Sequence, residues 1–179
     1  MKELFVEFMK NELGPKVVLT ACGLPASYKT ETTEVIAELK GYTILRSDLI
    51  RLEVLKNEDI FDEKVASSMK KRTLVYDEMF RMADELGANG KSMILDATFV
   101  TQSLRMRAAE VAARHGMTLI IQQTRCPKEV SLRRISQRTK EKYESNALTE
   151  QAYINNVNKF ESVDLDRLKT NYPDLDLIH

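Results

Sequence analysis

The chain has 179 residues, 43% hydrophobic and 30% charged, with 27 basic and 27 acidic side chains in balance. This is the composition of an ordinary globular protein, large enough to bury a real core within one domain spanning residues 1–179. Balanced charge argues against a strong nonspecific nucleic-acid binder. With no secretory leader pattern and no bilayer-length apolar run, it predicts a cytoplasmic protein.

In chain order, residues 2–13 have Leu4, Phe5, Phe8, Met9 and Leu13 at helical spacing and end at Gly14-Pro15. An apolar run over 16–22 lacks polar alternation, which predicts a strand buried on both faces, as in a parallel sheet. Gly23-Leu24-Pro25-Ala26-Ser27-Tyr28-Lys29-Thr30 follows. The spacing is that of a phosphate-binding loop, G-x-x-x-x-G-K-[ST], with Tyr28 in the place of the second glycine. In such a loop backbone N–H groups face a phosphate, the lysine reaches the outer phosphates, and the hydroxyl ligates Mg²⁺. Tyr28 fits if its φ is negative and its ring points outward. The bland alternative is a strand-to-helix turn that carries Lys-Thr by chance.

A helical pattern over 29–39 closes at Lys40-Gly41, and a second strand over 42–46 delivers Ser47-Asp48 at its carboxyl end. Ligands of open α/β sheets bind beyond the carboxyl ends of strands. Asp48 and Arg51 therefore fall where chemistry is expected, although Ser47 or Asp48 can equally be a helix N-cap. Residues 62–86 read as one long helix with Val65, Met69, Leu74, Val75, Met79, Met82 and Leu86 inward, widened by Tyr76 and Phe80. Its methionines read as core filler and Lys70-Lys71-Arg72 as a solvated face.

A strand over 92–96 ends in Asp96, a position suited to organising Mg²⁺. Thr98 and Thr101 can cap the next helix, whose inner face includes Leu104, Ala108, Val111 and Ala112, with Arg105 one turn in and His115 as a C-cap residue. After a strand over 117–122, Arg125-Cys126-Pro127 leads into a helix through Val130, Leu132 and Ile135 that carries Arg133, Arg134 and Arg138. Arginines four apart share a face, and near a phosphate site such a face suits a lid over 133–148. The alternative is a solvated surface partnered by Glu141 and Glu144. The polar stretch 139–146 supports the lid. Residues 149–160 predict another helix and 173–179 an edge strand. Cys22 and Cys126 read as two reduced structural thiols.

The loop at 23–30, Ser47-Asp48-Leu49-Ile50-Arg51, Leu95-Asp96-Ala97-Thr98 with Arg105, and Cys126-Pro127 through Arg134 and Arg138 together resemble the AAA-type P-loop kinases related to polynucleotide kinase, zeta toxins and gluconate kinase. The resemblance covers residues 16–160. It implies an α/β three-layer sandwich with a roughly five-stranded parallel sheet and a helical lid. It also implies an ATP-dependent phosphotransferase acting on a hydroxyl of a small-molecule or nucleotide-type acceptor, with ATP and Mg²⁺ as cofactors.

In that family pattern residues 23–30 cradle ATP, with Lys29 and Thr30 on the phosphates and metal. Asp48 is the general base, Arg51 orients the acceptor, Asp96 supports metal or substrate, and Arg134 and Arg138 are lid arginines. Arg105 falls among the substrate-side residues. The family loop reads Gly-Leu-Pro-Gly-Ser-Gly-Lys-[ST], so Ala26 and Tyr28 replace two glycines, and Ser145-Asn146-Ala147 stands where an Asp often follows the Ser. The departure at Tyr28 motivates a second class of function, a catalytically impaired module that binds a nucleotide or phosphorylated ligand. A nucleic-acid 5′-end kinase is a third; the neutral charge and lack of an aromatic-basic stripe argue against a long nucleic-acid track.

Overall fold

The computed structural model describes residues 2–139 and 147–179. The strands are β1 (Val17–Cys22), β2 (Thr43–Arg46), β3 (Met93–Asp96), β4 (Thr118–Gln123) and β5 (Leu177–Ile178). They form one sheet in the order β2-β3-β1-β4-β5, and every pairing is parallel. β1 is central: Leu19 lies beside Ile94 of β3 and Ile120 of β4. All six of its residues are buried, as an apolar strand without alternation requires.

The period-2 pleat divides the strand side chains between two cores. Val18, Met93, Leu95, Leu119 and Ile121 face one cluster, with α3 (Ser47–Val54), α5 (Met69–Ala88) and α6 (Gln102–Arg114) over it. Val17, Leu19, Ile94 and Ile120 face the other, covered by Met9 from α1 (Lys2–Glu12) and Ile36 from α2 (Lys29–Lys40). The result is a three-layer α/β sandwich. A third, small cluster joins Ala26 to Ile135 of α7 (Lys128–Ser136) and Tyr153 of α8 (Glu150–Lys159).

Several sequence expectations are corrected. The helix over 62–86 is two helices, α4 (Glu63–Ser67) and α5. Ser68 is extended between them, and its hydroxyl accepts from Lys71 N at 3.4 Å. A serine that can bond the following turn competes with helix continuation. Of the expected stripe Val75 and Met79 are buried, as are Tyr76 and Phe80 that widen it, whereas Met69 and Leu74 are 55% and 47% exposed. Phe8 of α1 also faces outward; the side chains of Leu4 and Phe5 lie outside the description. Ser47 and Asp48 do not cap α3, because the helix begins at Ser47 and its N-cap, Arg46, makes no side-chain cap bond. Thr101, by contrast, caps α6 through Leu104 N, and His115 is the C-cap of that helix. A further helix, α9 (Leu165–Asn171), precedes β5. Cys22 and Cys126 are both free thiols. No helix among the described residues is long and apolar enough to cross a membrane.

Arg105 is completely buried. Its guanidinium donates to the carbonyls of Glu161 at 2.7 Å, Ser162 at 3.1 Å and Val100 at 3.4 Å, and to Gln102 Oε1 at 3.0 Å. It stitches the segment after α8 to the N-terminus of α6. Replacing it leaves buried carbonyls without donors, so Arg105→Met is expected to lower stability by about 3 kcal/mol in urea denaturation. A loss under ~0.5 kcal/mol would contradict the anchoring role.

Candidate functional site

Beyond the carboxyl ends of β1, β2 and β3 lies a cleft of about 370 Å³, lined by the loop between β1 and α2, the start of α3, Asp96-Ala97-Thr98, and residues of α5, α7 and α8. The loop begins at Gly23, where φ is +153° and an added Cβ would stand 2.6 Å from Thr124 Oγ1. Only glycine fits there. The turn is pinned by Gly23 N donating to Thr98 O at 3.1 Å and by a 2.8 Å bond between the Ser27 and Thr124 hydroxyls.

The expectation of a negative φ at Tyr28 is overturned. Tyr28 takes φ +67° and Ala26 φ +60°, both left-handed, so the loop keeps a glycine-type backbone at the two positions that lack glycine. Each such residue costs about 1 kcal/mol, and each is held by a tertiary contact. The Ala26 methyl packs in the cluster with Ile135 and Tyr153. The Tyr28 ring does point outward, as expected, at 44% exposure, and the Arg134 guanidinium stacks on it 3.8 Å from the ring centroid. Arg134 also pairs with Glu31, so α7 is fastened to the start of α2 across the loop.

Lys29 is buried, and its ammonium donates to Leu24 O at 2.6 Å. Burial lowers its pKa to about 8, against the pull of Asp96 and Asp48. Asp96, 4% exposed, accepts at one oxygen from Thr30 Oγ1 at 3.1 Å, Arg46 Nε at 3.2 Å and Thr33 Oγ1 at 3.4 Å. Burial raises its pKa and the Arg46 charge opposes that. Thr30 and Asp96 thus present hard oxygen donors side by side, a set suited to Mg²⁺. Asp48 lies in the first turn of α3 and accepts from Arg51 Nη1 at 2.5 Å.

Most of the residues singled out in the sequence converge here. Pro25 to Thr30, Asp48, Arg51, Asp96, Arg134 and Arg138 all line the cleft. Gly23 and Leu24 shape the loop behind it. Arg105 does not line the cleft, since its guanidinium is spent on backbone carbonyls. Arg133 is exposed outside it. Arg138, expected on the helix, lies past the end of α7 at Ser136 and donates to Ala147 O at 3.1 Å; residues 140–146 of the anticipated lid, including Glu141, Glu144 and Ser145-Asn146, lie outside the described residues. Missed in the sequence were Arg46, whose end-of-strand position beside Asp96 was the available signal, and Asn156 of α8, which carried none. Arg72 was assigned to a solvated face but lines the cleft with Tyr76.

The left-handed loop makes a prediction about residue 28. Tyr28→Ala loses the ring yet keeps the strain, whereas Tyr28→Gly loses the ring and relieves it. Tyr28→Gly should therefore be more stable than Tyr28→Ala by about 1 kcal/mol in chemical denaturation. The reverse order would contradict a left-handed residue 28.

Solved structures share this architecture. A sugar kinase from Janibacter sp. is 17% identical, covers 92% of this chain and 84% of its own, and superposes with a TM-score of 0.63. A gluconokinase from Sinorhizobium meliloti is 15% identical over 91% of this chain and 81% of its own, with a TM-score of 0.59. AvrRxo1-ORF1:-ORF2 with ATP is 18% identical over 78% of this chain and 46% of its own, at a TM-score of 0.51. No curated protein sequence matches the chain. Residues 18–161 match the model of the AAA domain; the chain belongs to that family and has the P-loop fold also seen in the sugar kinase and the gluconokinase.

Proposed function

We propose that the protein is an ATP-dependent phosphotransferase that moves the γ-phosphoryl group of ATP to a hydroxyl of a small-molecule or nucleotide-type acceptor. The observation that carries this reading is one cleft with two kinds of equipment. The buried Lys29 ammonium and the Thr30–Asp96 pair stand on the loop side, and the Asp48–Arg51 pair stands at the head of α3. A carboxylate base has a use beside a phosphate cradle only when a hydroxyl is to be activated there.

In this mechanism the loop N–H groups and Lys29 hold the β- and γ-phosphates. Thr30 and Asp96 would hold Mg²⁺, which when bound neutralises charge on the phosphate oxygens. Arg51 keeps the Asp48 carboxylate aimed into the cleft. Asp48 takes the hydroxyl proton as the acceptor oxygen forms its bond to the γ-phosphorus, and the bond from that phosphorus to the β-phosphate oxygen breaks to leave ADP. Arg134 and Arg138 approach from the lid side and stabilise the charge spread over the transferred group. Asp48→Asn should lower turnover at least ~100-fold with little change in MgATP affinity. Undiminished phosphoryl transfer by Asp48→Asn would remove Asp48 as the base.

Lys29 sets a pH dependence. In the free loop its pKa is about 8, and bound phosphates raise it, because opposite charge favours the ammonium. Between pH 8 and 9 the protein should therefore take up a proton on binding MgATP. Affinity should be flat below about pH 7 and fall above pH 8, toward about tenfold per pH unit. Calorimetry in buffers of different ionisation enthalpy reads the uptake. Lys29→Arg, whose guanidinium stays charged, should abolish the slope.

Tyr28 favours a second reading, a nucleotide- or phospho-ligand-binding module without turnover, because a left-handed tyrosine held by Arg134 stands in the loop where the family pattern has glycine. MgATP bound at micromolar concentration by the wild-type protein but not by Lys29→Ala, followed by ATP consumption in an acceptor screen, supports the kinase. Binding without consumption supports the module.

A further inference from the structure

Six cationic side chains line the cleft, Lys29, Arg46, Arg51, Arg72, Arg134 and Arg138, against the carboxylates of Glu31, Glu34, Asp48 and Asp96. Most have assignments. Arg46 is shared between Glu34 and Asp96, Arg51 pairs with Asp48 and Arg134 with Glu31. Lys29 bonds the loop carbonyl of Leu24, and Arg138 bonds that of Ala147. Arg72 is different: it forms no ion pair among the described residues, although its neighbour Lys71 pairs with Glu58.

Its position is also different. Lys29, Arg134 and Arg138 come from the loop and the α7 side, where the phosphoryl donor is placed by the reading above. Arg72 comes from the first turns of α5, which packs against α3, the helix of Asp48 and Arg51. Arg72 and Arg51 line the same cleft as the buried Tyr76 and Thr98. The two arginines therefore enter the cleft from two helices that pack on each other, α3 and α5. A half-buried guanidinium without a carboxylate, aimed at a cavity, is poised for an anion, and its planar fork suits a phosphate or a carboxylate.

We propose that Arg72, with Arg51 beside it, forms an anion subsite in the acceptor half of the cleft, so that the acceptor carries a phosphate or carboxylate group in addition to the hydroxyl that is phosphorylated. The inference rests on the phosphotransferase reading for the word acceptor, but not for the subsite. Arg51 is held by Asp48 and keeps the base oriented, while Arg72 takes the anion and sets the distance from it to the reacting hydroxyl. A neutral polyol would leave Arg72 facing an uncharged group and bind more weakly.

The first arm of the test uses inorganic phosphate and no nucleotide. It is titrated calorimetrically into Lys29→Ala, whose loop site is disabled, and into the Lys29→Ala/Arg72→Gln double variant. One phosphate is expected to bind the first protein, and tenfold or more weakly to the second; Arg72→Gln keeps a good helix former on a half-exposed position, and its thermal midpoint checks that it is folded. No phosphate binding to Lys29→Ala, or equal binding to both, overturns the subsite.

The second arm supplies MgATP with matched acceptors, glycerol 3-phosphate against glycerol, ribose 5-phosphate against ribose, and gluconate against glucose, and follows ADP release. An anionic member is expected to be preferred at least tenfold in kcat/KM, through KM, with the preference lost in Arg72→Gln. A preference for the neutral member that Arg72→Gln leaves unchanged overturns the proposal. Phosphate bound through Arg72 with no ADP release from any pair would instead refute the phosphotransferase reading and leave the subsite standing.

Discussion

The buried carboxylate of Asp96 ties together the elements that make the cleft. It ends β3, and one of its oxygens accepts from Thr30 and Thr33 of α2 and from Arg46 at the end of β2. A carboxylate at 4% exposure is costly unless it is both charge-paired and hydrogen-bonded. Arg46 supplies the charge and the two threonines supply the bonds. Because Arg46 also holds Glu34 on α2, the helix that follows the loop is clamped to two strands at once. The loop has little freedom left between Gly23, fixed by Thr98, Ser27, fixed by Thr124, and Thr30, fixed by Asp96. The backbone is thereby shaped before any ligand is bound, which reduces the ordering cost of binding.

That rigidity accounts for how the loop tolerates the loss of two glycines. A left-handed alanine or tyrosine is unfavourable by itself, and the surrounding structure has to impose it. Here the imposition comes from outside the loop: α7 and α8 enclose the Ala26 methyl, and Arg134 stacks on the Tyr28 ring. An aromatic ring beneath a guanidinium contributes on the order of 0.5–1 kcal/mol at an exposed site, comparable with the strain it offsets. The substituted loop and Arg134 of α7 are in this sense one unit. A glycine loop would leave Arg134 with Glu31 alone, whereas this one couples the position of α7 to the backbone conformation at residue 28.

The electrostatics of the cleft follow from pairing rather than from net charge. The chain is neutral as a whole, yet cations outnumber carboxylates on the cleft walls. The carboxylates are spent on Arg46, Arg51 and Arg134, which hardens the frame. Lys29 is left to face the loop and Arg72 to face the other side. Low dielectric strengthens each of these interactions and also drives Lys29 toward its neutral form. The cleft is thus cationic at Lys29 and Arg72 and charge-paired at Arg46, Arg51 and Arg134.

Much of this was legible from residues alone, because it depends on local pattern. An unbroken apolar run followed by Gly23 and Lys29-Thr30 determined a buried strand, a turn and a helix. A strand that leads into Asp48 and another that ends in Asp96 placed two carboxylates at one edge of a parallel sheet, since the connections of such a sheet bring all carboxyl ends to one side. Pattern did not settle what depends on contacts between distant segments. The left-handed backbone at Ala26 and Tyr28 goes with contacts from α7 and α8, more than a hundred residues away: Ile135 and Tyr153 on Ala26, and Arg134 on Tyr28. The fate of Arg105 was decided by carbonyls at Glu161 and Ser162 that no spacing rule connects to it. The exposure of Met69 and Leu74 and the placement of Arg72 on the cleft wall were decided by packing of α5 on α3 and α6, because a helix stripe with apolar residues on several sides can face the core in more than one way until its neighbours choose.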